Sequence, residues 1–263
     1  YREYRVLHPQ RGLIWVEGRS TPQQLDNGAI IWHGFINDIS ERKHMERLKS
    51  EFVSTVSHEL RTPLTAIAGS LGLITGGALG PAPQAMAEML SIAKQNSQRL
   101  RQLIDDLLDM DKLLAGKMAF NLQPLELDSL LADCSASHQG FAQQHAVQLR
   151  YLPGPCLQLV ADPFRLQQVL SNLLSNALKF SPAQGQVRLF SQLHGAYVRI
   201  LVSDQGPGIA EDFRARIFSK FSQADATDTR QKGGTGLGLA ISKEIIERMD
   251  GRIGFDSPPG HGA

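Results

Sequence analysis

A repeat of apolar residues predicts one long helix over residues 84–114. Apolar side chains recur there at alternating spacings of four and three, which is the heptad pattern of helices that pack together. Two polar residues interrupt the stripe, which runs through Met86, Leu90, Ala93, Ser97, Leu100, Ile104, Leu107, Asp111 and Leu114. A stripe of this kind needs partner helices, so this part of the chain is expected to form a hairpin or a bundle.

A second long helix is predicted to begin at Ser40, a suitable N-terminal cap, and to end near Ile74. A cluster of glycine and proline over residues 76–83 then turns the chain into the heptad helix. Two antiparallel helices alone leave much of the apolar stripe exposed. We therefore expect a homodimer in which two hairpins form a four-helix bundle, and an intramolecular partner for the stripe is the alternative.

The first helix carries a histidine that is available for chemistry. Leu60 and its neighbours at a spacing of four form an apolar face, and His58 points away from that face, next to the carboxylate of Glu59. Pro63 removes a helical hydrogen bond five positions later, so a bend is expected beside His58. We interpret His58 as a nucleophile, although such a pair by itself is more often an ordinary part of a solvated surface.

Residues 1–39 and 116–263 have different patterns from the two helices. The first range alternates like β-strands around an Asp26-Asn27-Gly28 hairpin signal. The second range predicts an α+β domain with a mixed or mostly antiparallel sheet and a capped helix opening at Asp162-Pro163. Strands are expected there over residues 118–122, 147–151, 157–160, 187–193, 197–202 and 252–255, and helices over 127–144, 163–180, 213–217 and 237–249.

Three polar clusters in residues 116–263 suggest ligand binding. Asn172, Asn176 and Lys179 share one helix face, where amide oxygens suit Mg²⁺ and the lysine suits phosphate; a plain solvated face explains them equally well. The motif DQGPG places Asp204 in a tight turn. A carboxylate there suits a ligand with an exocyclic amine, such as adenine, but an ordinary turn explains the motif equally well.

The third cluster, GGTGLGLA over residues 233–240, runs into a helix start and so favours phosphate. It lacks the GK[ST] ending of a P-loop. The polar run over residues 222–232 before it is interpreted as a lid over the site.

Composition excludes several classes of function. The net charge of +1 gives no general attraction to nucleic acid or membranes. Cys134 and Cys156 form no CxxC motif, which argues against a disulfide framework or a zinc site. No apolar run is long enough to cross a bilayer. The abrupt ends of the chain lead us to expect a cytoplasmic fragment of a longer protein, with any membrane attachment in segments outside it.

Five motifs in one order carry a specific resemblance. HELRTPL at residues 58–64, NLLSNALKF at 172–180, DQGPGI at 204–209, IFSKFSQAD at 217–225 and GGTGLGLAISKEI at 233–245 resemble the H, N, G1, F and G2 boxes of sensor histidine kinases. Residues 1–39, ending in GFINDISERK, resemble more loosely the last strands of a PAS sensor domain, or serve as a spacer. The family's ATP-binding sheet closes with one further strand beyond this chain.

The resemblance implies a multidomain α+β protein with three parts. These are the end of a PAS domain (1–39), a dimerisation and phosphoacceptor hairpin forming a dimeric four-helix bundle (40–115), and a Bergerat-type α/β-sandwich ATP-binding domain (116–263). It implies ATP and Mg²⁺ as cofactors, and a homodimer that passes phosphate to the receiver domain of a response regulator.

The resemblance also implies roles for individual residues. His58 is the phosphorylated residue, Glu59 orients its proton, and Thr62 matches the position that orients water when such kinases dephosphorylate their partner. Asn176 is the Mg²⁺ ligand and Asp204 the adenine acceptor. Phe218 and Phe221 pack the lid hinge. The other implied nucleotide contacts are Asn172, Lys179, Phe180, Gly206, Gly208, Gly234, Thr235, Gly236, Leu237 and Gly238.

Two other functions keep much of this pattern. A Bergerat-type ATPase shares the N, G1 and G2 motifs, but it has no HELRTPL helix. A non-catalytic dimeric scaffold would not need His58, Asn176 and Asp204, which are all present. Labelling with ATP discriminates the three readings, because only a histidine kinase takes acid-labile, base-stable phosphate.

Overall fold

The computed structural model of the chain describes residues 1–77, 80, 83–155, 157–195, 197–222, 235–258 and 262–263. It divides into two compact units, Tyr1–Pro63 and Leu64–Ala263, and the boundary falls inside the first helix. The described elements are β1 (Arg2–His8), β2 (Gly12–Gln24), β3 (Ile30–Asp38), α1 (Ser40–Thr75), α2 (Gln84–Leu114), β4 (Gln123–Glu126), α3 (Leu127–Gln144), β5 (Gln148–Leu152), β6 (Gln158–Ala161), α4 (Pro163–Phe180), β7 (Gln186–His194), β8 (Tyr197–Ser203), α5 (Glu211–Arg214) and α6 (Gly238–Arg248).

The first unit is an antiparallel sheet in the order β1-β2-β3 that leads into α1. The expected turn between β2 and β3 forms where the Asn27 carboxamide oxygen accepts from the Ala29 N–H at 3.0 Å. Ser40 begins α1, but its hydroxyl accepts from the Trp15 N–H of β2 at 2.9 Å, and the Asp38 carboxylate accepts from the Ser40 N–H at 2.9 Å. The expected cap residue therefore fastens the helix to the sheet.

In the second unit, the end of α1 and the whole of α2 form the helical hairpin. Leu64, Ile104 and Leu108 make a small buried cluster between the two helices. The buried Ser97, which interrupts the heptad stripe, donates its hydroxyl to the Leu64 carbonyl at 3.5 Å. The interruption is therefore a polar contact between the helices. No described helix is long and apolar enough to cross a membrane.

The rest of the second unit is an α/β sandwich. Its three-stranded sheet has the order β5-β7-β8, with β5 parallel to β7 and β8 antiparallel to it, and β4 pairs with β6 in a separate ladder. Helices α3 and α4 cover the sheet through a buried core that includes Leu131, Leu174 and Leu189. This is the mixed sheet that the sequence predicts.

Two expected strands are wrong. Residues 118–122 form no strand, because Met118 is buried in an apolar cluster and the Asn121 N–H donates to the Asp162 carboxylate at 2.8 Å. Residues 252–255 also form no strand, although Ile253 packs against the same apolar cluster. In both segments the apolar alternation reflects side-chain packing, which the sequence pattern does not distinguish from a backbone ladder.

Candidate functional site

Helix α4 is the element on which the candidate nucleotide site is built. Its N-terminus is capped by Asp162, whose carboxylate accepts from the Arg165 N–H at 3.1 Å, and Pro163 occupies the first turn. Apolar residues at a spacing of four bury one face in the core: Leu166, Leu170, Leu174 and Leu178. The polar residues at 172 and 176 therefore lie on a different, half-buried face of the same helix.

The turn after β8 rests on the C-terminal end of α4. The Gly206 N–H donates to the Asp204 carboxylate at 2.7 Å. A side chain at Gly206 would come within 3.0 Å of the Phe180 carbonyl oxygen, so only glycine fits there without displacing the helix end. The Asp204 carboxylate and the Phe180 carbonyl therefore both lie close to Gly206. Lys179 lies over the Phe180 ring, with its Nζ 5.0 Å from the centroid.

Burial raises the pKa of the Asp204 carboxyl, while the backbone N–H groups of Gly206 and Ala263 oppose that rise. A half-buried carboxylate is a strong acceptor for a neutral donor such as an amine. A raised pKa of this kind is a common property of ligand-binding carboxylates.

Ser257 fixes the other side of the same turn, and sequence reasoning missed it. Its hydroxyl accepts from the Ile209 N–H at 2.8 Å and donates to the Gly262 carbonyl at 2.7 Å. A side chain at Gly208, whose φ is +78°, would come within 2.8 Å of the same hydroxyl. A single serine before two prolines carries no local sequence signal for this role.

The start of α6 meets α4 at Asn172. The Asn172 carboxamide donates to the buried Ser242 hydroxyl at 2.9 Å, and a side chain at Gly238 would overlap the Asn172 carboxamide oxygen. Asn172 was expected beside the phosphates, and the structure places it in the joint between the two helices. Gly238 is required for the closeness of that joint.

Thr235 organises the turn before α6. Its hydroxyl accepts from the Leu237 N–H at 3.1 Å and donates to the Asp106 carboxylate of α2 at 2.6 Å. Leu237 is 1% exposed, so it acts as a core residue at the helix start. Gly236 has a φ of +70° and lies against the Phe221 backbone.

Residues 223–232 of the predicted lid lie outside the described residues, as does Gly234. At the lid's expected hinge, the Phe218 ring lies 6.2 Å from that of Phe255, centroid to centroid, whereas the Phe221 side chain is 68% exposed. The hinge packing expected for Phe218 therefore has a partner in the structure. The backbone of Phe221, and not its ring, lies against Gly236 in the turn before α6.

His58 and Glu59 are exposed on α1, in the other compact unit. The Thr62 hydroxyl donates to the His58 carbonyl at 3.4 Å, one helical turn away. The helix continues through Pro63, and the expected bend there stays a prediction.

Within the second unit, the three polar clusters converge on α4. The DQGPG turn sits at its C-terminal end, the glycine-rich turn leads into α6 beside Asn172, and Asn176 lies one helical turn from each. Residues 26 to 70 positions apart in sequence thus meet along one short stretch of helix. The arrangement can offer an amine acceptor, an aromatic face, an amide oxygen for a hard cation and a helix start for phosphate.

Comparison with known proteins agrees with this geometry. Residues 48–116 match the model of the His Kinase A (phospho-acceptor) domain, and residues 161–263 match that of the histidine kinase-, DNA gyrase B-, and HSP90-like ATPases. Among curated proteins, the circadian input-output histidine kinase CikA of Synechococcus elongatus is 39% identical over 218 residues, or 82% of this chain and 29% of the relative. The sensor histidine kinase GacS of Pseudomonas protegens is 40% identical over 239 residues, or 86% of this chain and 25% of the relative.

A solved structure is also similar. The crystal structure of full-length ShkA in complex with AMPPNP matches with a TM-score of 0.64 and 31% identity over 81% of this chain and 44% of that one. The chain spans between a quarter and a third of the length of the two curated relatives.

Proposed function

The chain belongs to the sensor histidine kinases, and from this membership we propose that it uses ATP to phosphorylate its own His58. The observation that carries the proposal is the convergence on α4 of three clusters that are separate in sequence. A chance set of polar motifs has no reason to meet on one helix.

ATP is proposed to lie along α4. Asp204 accepts from the adenine amino group and Phe180 lies against the ring, while Gly206 and Gly208 keep the turn close. The structure of ShkA with AMPPNP supports a nucleotide in this domain. The phosphates are assigned to the start of α6, because the N-terminal end of a helix favours negative charge. The residues proposed to contact them are Lys179, Gly234, Thr235, Gly236, Leu237 and Gly238.

Asn176 is proposed as the protein ligand of Mg²⁺. An amide oxygen is the kind of ligand that this hard cation accepts, and Mg²⁺ in nucleotide sites takes its other ligands from phosphates and water. Asn176 lies one turn from Asn172 and one turn from Phe180, between the joint with α6 and the adenine end. Asn172 acts as a positioning residue, because its carboxamide is committed to Ser242.

In the proposed reaction, an imidazole nitrogen of His58 attacks the γ-phosphorus of ATP. The bond from that phosphorus to the β–γ bridging oxygen breaks, and ADP leaves. Glu59 is proposed to orient the other ring nitrogen and to accept its proton, so that the attacking nitrogen carries the free electron pair. The protein contributes positioning and charge neutralisation, which supply most of the catalysis in phosphoryl transfer.

The phosphoryl group is then proposed to pass to an aspartate in the receiver domain of a response regulator. Thr62 is proposed to orient water for the reverse activity, removal of phosphate from that partner. We propose the domain boundaries 1–39, 40–115 and 116–263, with residues 1–39 as the end of a PAS-like sensor.

A homodimer is proposed for the hairpin, because large apolar side chains stay exposed along it. Among the described side chains of α2, six large apolar ones are between 39% and 74% exposed, namely Met86, Met89, Ile92, Leu100, Leu107 and Leu114. A second hairpin that covers them completes a four-helix bundle. A C₂ dimer places the same surface on both sides of the interface.

Labelled ATP tests the kinase assignment. With Mg²⁺, the wild-type chain is expected to take up γ-phosphate that is labile in acid and stable in base, and His58→Gln is expected to take up none. Label on the His58→Gln variant equal to that on wild type would refute the assignment. Steady ATP hydrolysis with no label on the protein would favour the Bergerat-type ATPase instead.

A further inference from the structure

We propose that Asp106 of the hairpin competes with nucleotide phosphate for the hydroxyl group of Thr235, and so couples the position of α2 to nucleotide affinity. The inference rests on the proposed function, because it takes the start of α6 to be the phosphate site. It assigns a positioning role to a residue outside the five sequence motifs.

The first step is the geometry of the contact. Thr235 donates its hydroxyl to Asp106 Oδ2 at 2.6 Å and accepts from the Leu237 N–H at 3.1 Å. A hydroxyl has one proton to donate. While Asp106 holds it, Thr235 has no donor for a phosphate oxygen at the helix start. The two anions therefore exclude one another at this group.

The second step is the location of Asp106. It is 7% exposed, and the Gln102 carboxamide donates to its other oxygen at 2.7 Å. Met110 and Leu113 follow it at spacings of four and three, and both are buried against α4 and α6 in one apolar cluster. One face of α2 therefore carries both the apolar contact with the ATP-binding half and the carboxylate that reaches Thr235.

The third step is the electrostatic cost of the contact. Burial raises the pKa of the Asp106 carboxyl, the bonds from Thr235 and Gln102 lower it, and Asp109 and Asp105 raise it further. Among the residues that the structure describes, no cationic side chain forms an ion pair with Asp106. A buried carboxylate that lacks a cation is held at a cost, which favours its release when a phosphate oxygen accepts the hydrogen bond from Thr235 instead.

Asp109 provides a matched control on the same helix. Its carboxylate accepts from the Gln168 carboxamide of α4 at 2.7 Å and lies 3.8 Å from the Arg165 guanidinium. Loss of Asp109 weakens the same interface between α2 and the ATP-binding half without touching Thr235. The two aspartates thus separate competition for one hydroxyl from general undocking.

The experiment measures the Kd of AMPPNP with Mg²⁺ by calorimetry. Asp106→Ala is expected to bind at least about five-fold more tightly than wild type, which is the lower end of ordinary coupling between sites. Asp109→Ala is expected to stay within two-fold of wild type. In a Thr235→Val background, Asp106→Ala is expected to change nothing, because the contested hydroxyl is gone. The melting temperature of each variant shows whether it is folded.

If Asp106→Ala does not fold, Asp106→Asn replaces it. The asparagine keeps an acceptor for Thr235 but loses the charge. Its Kd is therefore expected to lie between that of wild type and the five-fold lower value expected for Asp106→Ala. A Kd equal to that of wild type in Asp106→Ala, or in Asp106→Asn where Asp106→Ala does not fold, overturns the inference, as does an equal gain in affinity in Asp109→Ala. If wild type itself binds no nucleotide, the proposed function fails first, and the two failures are thereby distinguished.

Discussion

At the scale of single residues, the candidate site depends on how closely two backbones approach. Gly238 has no space for a side chain because the Asn172 carboxamide fills it, and Gly206 has none because of the Phe180 carbonyl. The sequence predicted glycines close to a nucleotide, but not which neighbouring group makes each one necessary. Asn172 and Ser242 are 70 positions apart, and no local pattern links them.

Gly238→Ala is expected to destabilise the ATP-binding half by about 1–3 kcal/mol, because the added methyl group overlaps Asn172. Thermal unfolding measures the change. Gly140→Ala is the matched control: Gly140 is helical, exposed and has open space around it, so alanine there is expected to stabilise by about 0.5–1 kcal/mol. Equal effects of the two substitutions would contradict the account of the α4–α6 joint.

Asp204→Asn is expected to raise the melting temperature at pH 7 while nucleotide affinity falls at least about ten-fold. Because the folded carboxyl has a raised pKa, its ionised form destabilises the fold. That penalty is absent below the ordinary carboxyl pKa and develops as the pH rises through the folded value. The advantage of the variant in thermal unfolding is therefore expected to shrink towards pH 4, and a constant advantage would contradict the role of burial.

At the scale of elements, helix prediction succeeded where an apolar period was long. The bounds of α2 and α3 agree with expectation, because each has several turns of amphipathic pattern. Strand prediction failed for two short segments. Their apolar residues Met118 and Ile253 pack in the apolar cluster that includes α6, and they do not belong to a strand. The sequence allowed an intramolecular partner for α2, but it did not identify α4 and α6 as that partner. A heptad stripe identifies a face to be covered, but not every partner that covers it.

Asp162→Ala is expected to cost about 1–2 kcal/mol through the lost cap of α4, and more through the unpaired Asn121 N–H. Asp162→Asn, which keeps one acceptor, is expected to cost less. Burial opposes ionisation, but the backbone donors lower the pKa of this carboxyl overall.

The contribution of the Asp162 charge is present above the ordinary carboxyl pKa and is lost as the pH falls through the folded value. Chemical denaturation between pH 3 and pH 7 measures this dependence. A cost of Asp162→Asn that does not change with pH would contradict the capping account.

At the scale of the whole molecule, the proposed phosphoacceptor and the proposed nucleotide site belong to different compact units. His58 belongs to the unit of the sheet and α1, whereas the nucleotide site belongs to the other. The five motifs predicted both parts because they occur together in one order, whereas several of them alone have an ordinary explanation. In the proposed dimer, a second chain covers the exposed apolar side chains of the hairpin.

Leu100→Lys combined with Leu107→Lys is expected to convert the dimer into a monomer at micromolar concentration. The two side chains are 44% and 39% exposed in the single chain and lie seven positions apart on α2, so charges there would face one another in a bundle. Sedimentation equilibrium measures the mass. Gln95→Lys adds charge at another exposed position of α2 and is expected to leave the dimer intact. A wild-type monomer at all concentrations would contradict the bundle.

The central claim is that ATP held on α4 phosphorylates His58. The most direct measurement is peptide mapping by mass spectrometry at alkaline pH after incubation with ATP and Mg²⁺. At an ATP concentration below the wild-type Kd, we predict phosphate on His58 of the wild-type chain and at least about ten-fold less in Asp204→Asn, in line with its weaker binding. Phosphate on another residue, or equal phosphate on His58 in Asp204→Asn, would contradict the account.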